Sequence, residues 1–426
     1  MADIIIDGTI GANRLLILDS TGKIPAVDGS QVTTIAAGNI ATGTIPIARI
    51  DVGTTANKIV KLDGNAKLPA LDGSLITNVS SSTSSASDPT ISTNPSGGVG
   101  TEWHNTTSGE VYICTDATAG ANIWTNVGEG SGNVKPWNFG GSTYGFAVAG
   151  YNPGNYPGNN SISKFSFTTD GNAVDWNDLA GLGTYMKSGH SDKDNGYGYH
   201  AGGTSQGLNE IARFSFTSSG GSTDVGDLTN NHDSPASVST QSYGFCTGGS
   251  SNGRIDRFAF SSSNNATDWA DLGSGLSTNA GAGTVNNAGS YGYMICGAQP
   301  TALNIQKFPT ASQSNATDVG DATQARQSPS GSSSATYGYC AGGSVPPNVN
   351  TIDKFAFATD GNSTDVGDLS VAGHQIGGSS SLTYGYSLGG SGDNTRIEKY
   401  SFTTDGGATD IGNLIMGQIG PSGSQV

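Results

Sequence analysis

The chain repeats one pattern, Tyr-Gly-[Phe/Tyr]-x3-Gly, six times, starting at Tyr144, Tyr197, Tyr243, Tyr291, Tyr337 and Tyr384, with spacings of 46 to 53 residues. A period of this size belongs to stacked or radially repeated units, so the fold is set by how one unit packs on the next. Every copy carries the same further landmarks. An Ile-x-[Lys/Arg]-[Phe/Tyr] motif follows, as at Ile352, Lys354 and Phe355, with another aromatic two residues on in five copies. After seven more residues comes an aspartate: Asp175, Asp224, Asp268, Asp318, Asp365 or Asp410. Three positions later stands Asp or Asn, usually followed by Leu.

Composition decides what such a unit is made of. With 66 Gly among 426 residues, 12% charged residues and no sustained 3.6-residue apolar period, short strands and tight turns are expected, not helices. A formal net charge of −16 opposes the phosphate contacts that dominate nucleic-acid binding, and no apolar run is long enough to span a bilayer. The start "MADIIIDGTIGANR" lacks the basic region and apolar core of a secretion signal. Of the four cysteines, Cys246 and Cys340 share a repeat position two repeats apart, beyond the reach of a disulfide, so buried thiols are expected.

About four strands fit in each repeat. In the fifth they are "TYGYCAGG", "TIDKFAF", "STDVGDL" and the glycine-rich segment before the next Tyr. Asp-Gly in the second-to-third turn of repeats one, five and six suits the positive φ of a tight hairpin. Four antiparallel strands repeated six times fit a β-propeller, in which glycine is expected on strands nearest the crowded axis. Cutting each repeat at its Tyr leaves residues 416–425 over, and they are expected to complete the sheet begun at Tyr144, with residues 136–142 competing for that place.

An aromatic strand ending in Gly-Gly, followed by a strand with basic and aromatic residues, resembles the kelch repeat over residues 142–426, although the tryptophan expected near each repeat's end stands only as Trp176 and Trp269. The resemblance implies a six-bladed kelch-like propeller over residues 131–426. It does not choose a function, because the same fold serves oxidases and pure binding modules.

The amino-terminal third carries a second, unrelated repeat. Residues 13–35 align with residues 57–79 at an offset of 44, with ten identities in 23. Such thin segments bury apolar residues only between chains, which predicts a homotrimeric shaft over residues 1–80. They resemble shaft repeats of bacteriophage tail fibres, particularly those of marine cyanobacterial viruses. Residues 81–100 read as a Ser/Thr/Pro/Gly-rich linker, and residues 101–130 resemble a small β module common in phage fibres and carbohydrate-binding proteins. The expected whole is all-β: a thin repetitive shaft, a small module and a terminal propeller. The resemblance implies a virion tail fibre whose amino terminus attaches to other virion proteins of the tail or baseplate, and whose propeller recognises a host receptor, a surface glycan or protein. The alternatives are a capsid or neck fibre without a host ligand, and a polysaccharide-degrading enzyme.

No catalytic constellation supports the enzyme reading. His104, His190, His200, His232 and His374 are scattered without metal-ligand spacing, and neither a metal nor another cofactor is expected. "GSSNG" at 249–253 matches an esterase pattern without the strand-to-helix elbow that pattern needs. Carboxylate pairs such as Asp224 with Asp227 have the oxygens of a calcium site, but a structural role in each repeat is preferred. The six periodic basic residues, Lys164, Arg213, Arg257, Lys307, Lys354 and Lys399, are expected to pair with the equally periodic aspartates.

Binding groups are sought where the repeat relaxes. The hairpin between second and third strands keeps its length, whereas the gap after the glycine turn runs from five to eleven residues with unrelated sequences, from "SSNGR" to "YNPGNYPGNNS". These gaps and the connections between repeats fall on the same end of the sheets, where loops are free to vary. The receptor site is therefore expected there, centred on the first repeat, with Tyr151, Asn155, Tyr156 and Tyr185 as contacts. Trp137 is a further aromatic outside the repeated positions.

Overall fold

A computed structural model of the chain describes residue 20 and residues 82–426, other than 129, 131–133, 153–158, 181–184, 205–208, 250–252, 274–280, 287 and 298–301. The shaft expected over residues 1–80 lies outside the described residues, apart from Ser20. What is described is all-β, with no helix and seven four-stranded sheets.

One sheet is the small module, and the other six are numbered by repeat. The module's strands are Ser82–Ser85, Glu102–Asn105, Val111–Asp116 and Ile123–Asn126; the first pair runs parallel and the others antiparallel. The segment 81–100, expected to be a linker, thus supplies an edge strand and folds back onto the module. Trp103 Nε1 donates to the Ser87 carbonyl at 2.9 Å, and Asn122 Nδ2 donates to the Ile91 carbonyl at 2.8 Å. The expected boundary at residue 130 also moves, because Val134 bridges to Trp124. Tyr112, Cys114 and Trp124 form the fully buried centre. A Ser/Thr-rich stretch pairs here because backbone bonds and a few side-chain anchors are enough to hold an edge strand.

The other six sheets are antiparallel and built alike. In the fifth, the strands are Ser330–Ser333, Tyr337–Ser344, Asn348–Ala356 and Thr364–Asp368, in that spatial order. The glycine- and serine-rich segment therefore pairs with the Tyr strand that follows it and is the inner strand of that sheet. The chain's last strand, Ser422–Gln425, does the same for the sheet begun at Tyr144, as expected for residues 416–425. Residues 136–142 do not take that place; Gly141 instead bridges to Ser381 at the corner of the sixth sheet.

Each sheet packs on the next through aromatics set by the period-2 alternation of the strands. Phe146 of the first sheet lies on Phe214 and Phe216 of the second, and Tyr339 of the fifth on Tyr400 and Phe402 of the sixth. Tyr386 of the sixth packs on Phe165 and Phe167 of the first. Each fully buried ring contributes roughly 1.5 to 3 kcal/mol.

The repeated aspartate is explained by a bulge. In every sheet the register between third and outer strands shifts at the same place, after the Ile of the Ile-x-[Lys/Arg] motif. In four sheets the aspartate accepts the N–H of a glycine two residues on, as Asp365 Oδ1 does from Gly367 at 3.1 Å. That glycine has φ +155°, and a Cβ on it would meet the Gly406 carbonyl of the next sheet's hairpin at 2.2 Å. An extra residue and a missing side chain let one sheet's edge seat the next sheet's turn.

The periodic cations do not pair with these aspartates. Each lies over the first Tyr of its own repeat, from 3.9 Å for Lys164 on Tyr144 to 5.0 Å for Lys399 on Tyr384. Three also meet an Asp-Gly hairpin of the neighbouring sheet: Lys307 with Asp360, Lys354 with Asp405 and Lys399 with Asp170, at 2.5 to 2.9 Å. Where that hairpin lacks Asp, Lys164 and Arg257 lie over Trp176 and Trp269 instead, both at 3.7 Å. The cation is thus held between sheets, by ring faces and a neighbour's turn.

Candidate functional site

The two ends of the sheets differ. At one end lie the Asp-Gly hairpins and the corners that precede each Tyr. At the other lie the variable gaps and the connections between sheets, five of the six held by the residue between Ile and Lys/Arg in the next sheet's third strand; in the second sheet that residue is Ala212. Asp256 accepts the Thr229 N–H at 2.7 Å, Asp353 that of Thr323 at 3.0 Å, Glu398 that of Ser370 at 2.8 Å and Gln306 that of Gly273 at 3.0 Å. Ser163 Oγ accepts from Ile415 N–H at 3.4 Å. These carboxylates are buried, and each carries a cationic or imidazole partner: Arg326 Nη2 stands 2.7 Å from Asp353, His232 Nε2 3.2 Å from Asp256, and Arg396 Nη1 3.9 Å from Glu398.

Beyond the anchors, five of the six connections enter the inner strand through a residue in the left-handed region: Met186, Ser234, Ser328, Gln375 and Gly420, with φ between +55° and +68°. The reversed backbone lets them bond to each other from sheet to sheet. Met186 N–H donates to the Gly420 carbonyl, Gly420 N–H to Gln375 and Gln375 N–H to Ser328, each at 2.8 Å. Met186 Sδ further accepts from Gln375 Nε2 at 3.1 Å. Four of the five are not glycine, so this collar carries local backbone strain of the kind concentrated at functional positions. It borders the opening of a small cavity of about 80 Å³, bounded by all six inner strands.

Of the residues expected to contact a receptor, Tyr151 and Tyr185 come together at this collar. Their ring centroids are 5.7 Å apart, and both rings are half-buried. Tyr151 N–H donates to the Ile419 carbonyl beside Gly420, and Tyr185 directly precedes Met186. Asn155 and Tyr156 lie outside the described residues. Trp137 does not belong to this end: it packs on the core cluster containing Val238 and Val285, against Gly289, at the hairpin end.

A buried polar cluster between the second and third sheets has no signal in the sequence. Ser188 Oγ lies 2.9 Å from Cys246 Sγ and 3.0 Å from His190 Nε2. This is a nucleophile-like grouping, but burial pushes the thiol well up and the His190 imidazole down to about 3, so near neutrality the thiol stays protonated and the imidazole is too weak a base to activate it. All four cysteines are free and buried. Among the described residues, no group of three or more His, Cys, Asp or Glu is placed to hold a metal ion.

No known protein family matches the chain, and no curated protein is significantly similar to it.

Proposed function

We propose that the six sheets form a closed six-bladed, kelch-like β-propeller and that this propeller is the receptor-recognising head of a virion tail fibre. In this reading residues 1–80 are the trimeric shaft that attaches to other virion proteins, and the ligand is a glycan or protein of the host surface. The observation that carries the reading is the contrast between the two ends of the sheets. One end keeps its turns constant and receives the incoming chain: Lys193 Nζ, at a hairpin-end corner, donates to the carbonyls of Asn138 and Gly140. The other end bears loops of unrelated sequence around a collar and an aromatic pair. Three heads on one fibre would turn weak sugar contacts into useful avidity.

The test is adsorption of the full chain to a panel of bacterial cells, with Tyr151→Ala and Tyr185→Ala combined in one variant. The reading predicts adsorption to some strains and its loss in the variant, with the thermal transition unchanged. Release of a glycan product from those cells would favour a polysaccharide-degrading enzyme instead.

A further inference from the structure

We propose that Cys296 and Cys340 are an oxidisable pair, which hydrogen peroxide converts into a disulfide joining the fourth sheet to the fifth. The pair is independent of the receptor-binding reading above.

Two adjacent sheets bring the thiols together. Cys296 lies near the end of the strand Tyr291–Gly297 in the fourth sheet, and Cys340 lies in the strand Tyr337–Ser344 of the fifth. Both belong to one buried cluster, with Ala282, Ile305 and Phe355. Within it the thiols hydrogen-bond to each other, Cys296 donating and Cys340 accepting. The repeat dictates neither cysteine. In the other sheets the equivalent of Cys296 is Ala149, Gly202, Gly248, Gly342 or Gly389, and all six have φ between +58° and +70°. Such a backbone suits glycine, so the fourth sheet carries a side chain here against conformational preference. The Cys296 Sγ stands 4.0 Å from the Gln324 carbonyl, in the connection into the fifth sheet. The equivalents of Cys340 are Ala147, His200, Cys246, Met294 and Ser387, and Cys246 meets Ser188 rather than a second thiol.

Arg326 makes the two thiols unequal. Its buried guanidinium donates to the Cys340 carbonyl at 3.1 Å and to Asp353 at 2.7 Å, while its own carbonyl accepts the Gly297 N–H beside Cys296 at 3.0 Å. Burial disfavours a Cys340 thiolate, but the hydrogen bond from Cys296 and the Arg326 charge outweigh it and bring that thiol below its ordinary value. Its donation to Cys340, together with burial, holds Cys296 well up, so Cys296 keeps its proton. Cys340 is therefore the nucleophile, and the guanidinium beside it favours a thiolate over a metal ion. The Cys340 thiolate attacks one peroxide oxygen; the O–O bond breaks, giving a sulfenic acid and a hydroxide that takes up the proton Cys340 had lost. The Cys296 sulfur then displaces the sulfenic hydroxyl, which leaves with the Cys296 proton as a second water. The two sulfurs give up two electrons and the peroxide accepts them.

The experiment treats the full chain with hydrogen peroxide near neutrality, alkylates it in denaturant and digests it for mass spectrometry. Two of the four free thiols should become unreactive, the fragment holding Cys296 should be joined to the one holding Cys340, and dithiothreitol should restore both. The linked chain should unfold at higher denaturant than the reduced chain, because the bridge restricts the unfolded ensemble. Cys296→Ala and Cys340→Ala each copy the residue of the first sheet, Ala149 or Ala147, and should fold without forming the link. Peroxide added in denaturant, where the sheets are separated, should give the same link about tenfold less often. Four reactive thiols after a dose that fully oxidises glutathione overturn the proposal, as does a link between any other pair or an equal yield in denaturant.

Discussion

The hairpin end and the connection end of the six sheets are stabilised in opposite ways. At the hairpin end the same contact recurs six times, a cation over a tyrosine, but the tyrosines are partly exposed and each contact is worth about 0.5 to 1 kcal/mol. At the connection end the anchors vary: Asp256 and Asp353, Glu398, Gln306 and Ser163 do one job with four kinds of side chain of differing charge and length. Yet these groups are buried, so each is individually costly to lose. Regularity in a repeat therefore marks where contacts are interchangeable, and the larger energies sit where the sequence varies.

The comparison breaks most visibly at Asp353. Asp353→Ala strands the buried Arg326 guanidinium, and we expect a loss of about 3 to 5 kcal/mol, read by denaturant unfolding. A loss below about 1 kcal/mol would mean that the connection end is not held as described. Next is Gly378→Val, whose Cβ would meet the Gly331 carbonyl at 2.1 Å; about 3 kcal/mol is expected from the forced separation of two inner strands.

Acid gives the third effect. His190 is held down to about 3 and His200 well below its ordinary value, both because burial disfavours the imidazolium. The unfolded chain binds these protons near pH 6.5 and the folded chain does not, so stability is full above about 7 and falls as pH drops from 6.5 toward 3. Roughly 1 kcal/mol per pH unit for each histidine is expected, and Phe or Leu at either position should flatten the profile. The smallest effect belongs to the hairpin end. Asp405→Ala removes an exposed partner of Lys354 whose cation still lies over Tyr337, and the change should be under about 1 kcal/mol and vanish in high salt.

These differences track what the sequence made legible. The all-β class, the strand content of a repeat, the Asp-Gly turns and the pairing of residues 422–425 with the Tyr144 strand follow from patterns within one repeat or from counting repeats. The partner of each cation did not follow, because fixed spacing reports neighbours along the chain whereas Asp360, Asp405 and Asp170 arrive from the adjacent sheet. Nor did the acid anchors, whose repeat position also holds Ser163, Ala212 and Gln306 and so shows no consensus. The left-handed collar was equally hidden: Met, Ser and Gln carry no preference for positive φ, and only their placement between two sheets imposes it. For the candidate site, the reasoning that variable loops share one end brought Tyr151 and Tyr185 into view but gave no sign of the cavity beside them.

The central claim is that the connection end, and not the hairpin end, meets the ligand. One comparison of cell adsorption tests it most directly, between the full chain with Tyr151→Ala and Tyr185→Ala and the full chain with Asp170→Ala and Asp360→Ala, each checked for an intact thermal transition. The account predicts that the tyrosine pair is needed and that the hairpin aspartates are dispensable. Normal adsorption by the tyrosine variant, with loss in the aspartate variant, would contradict it.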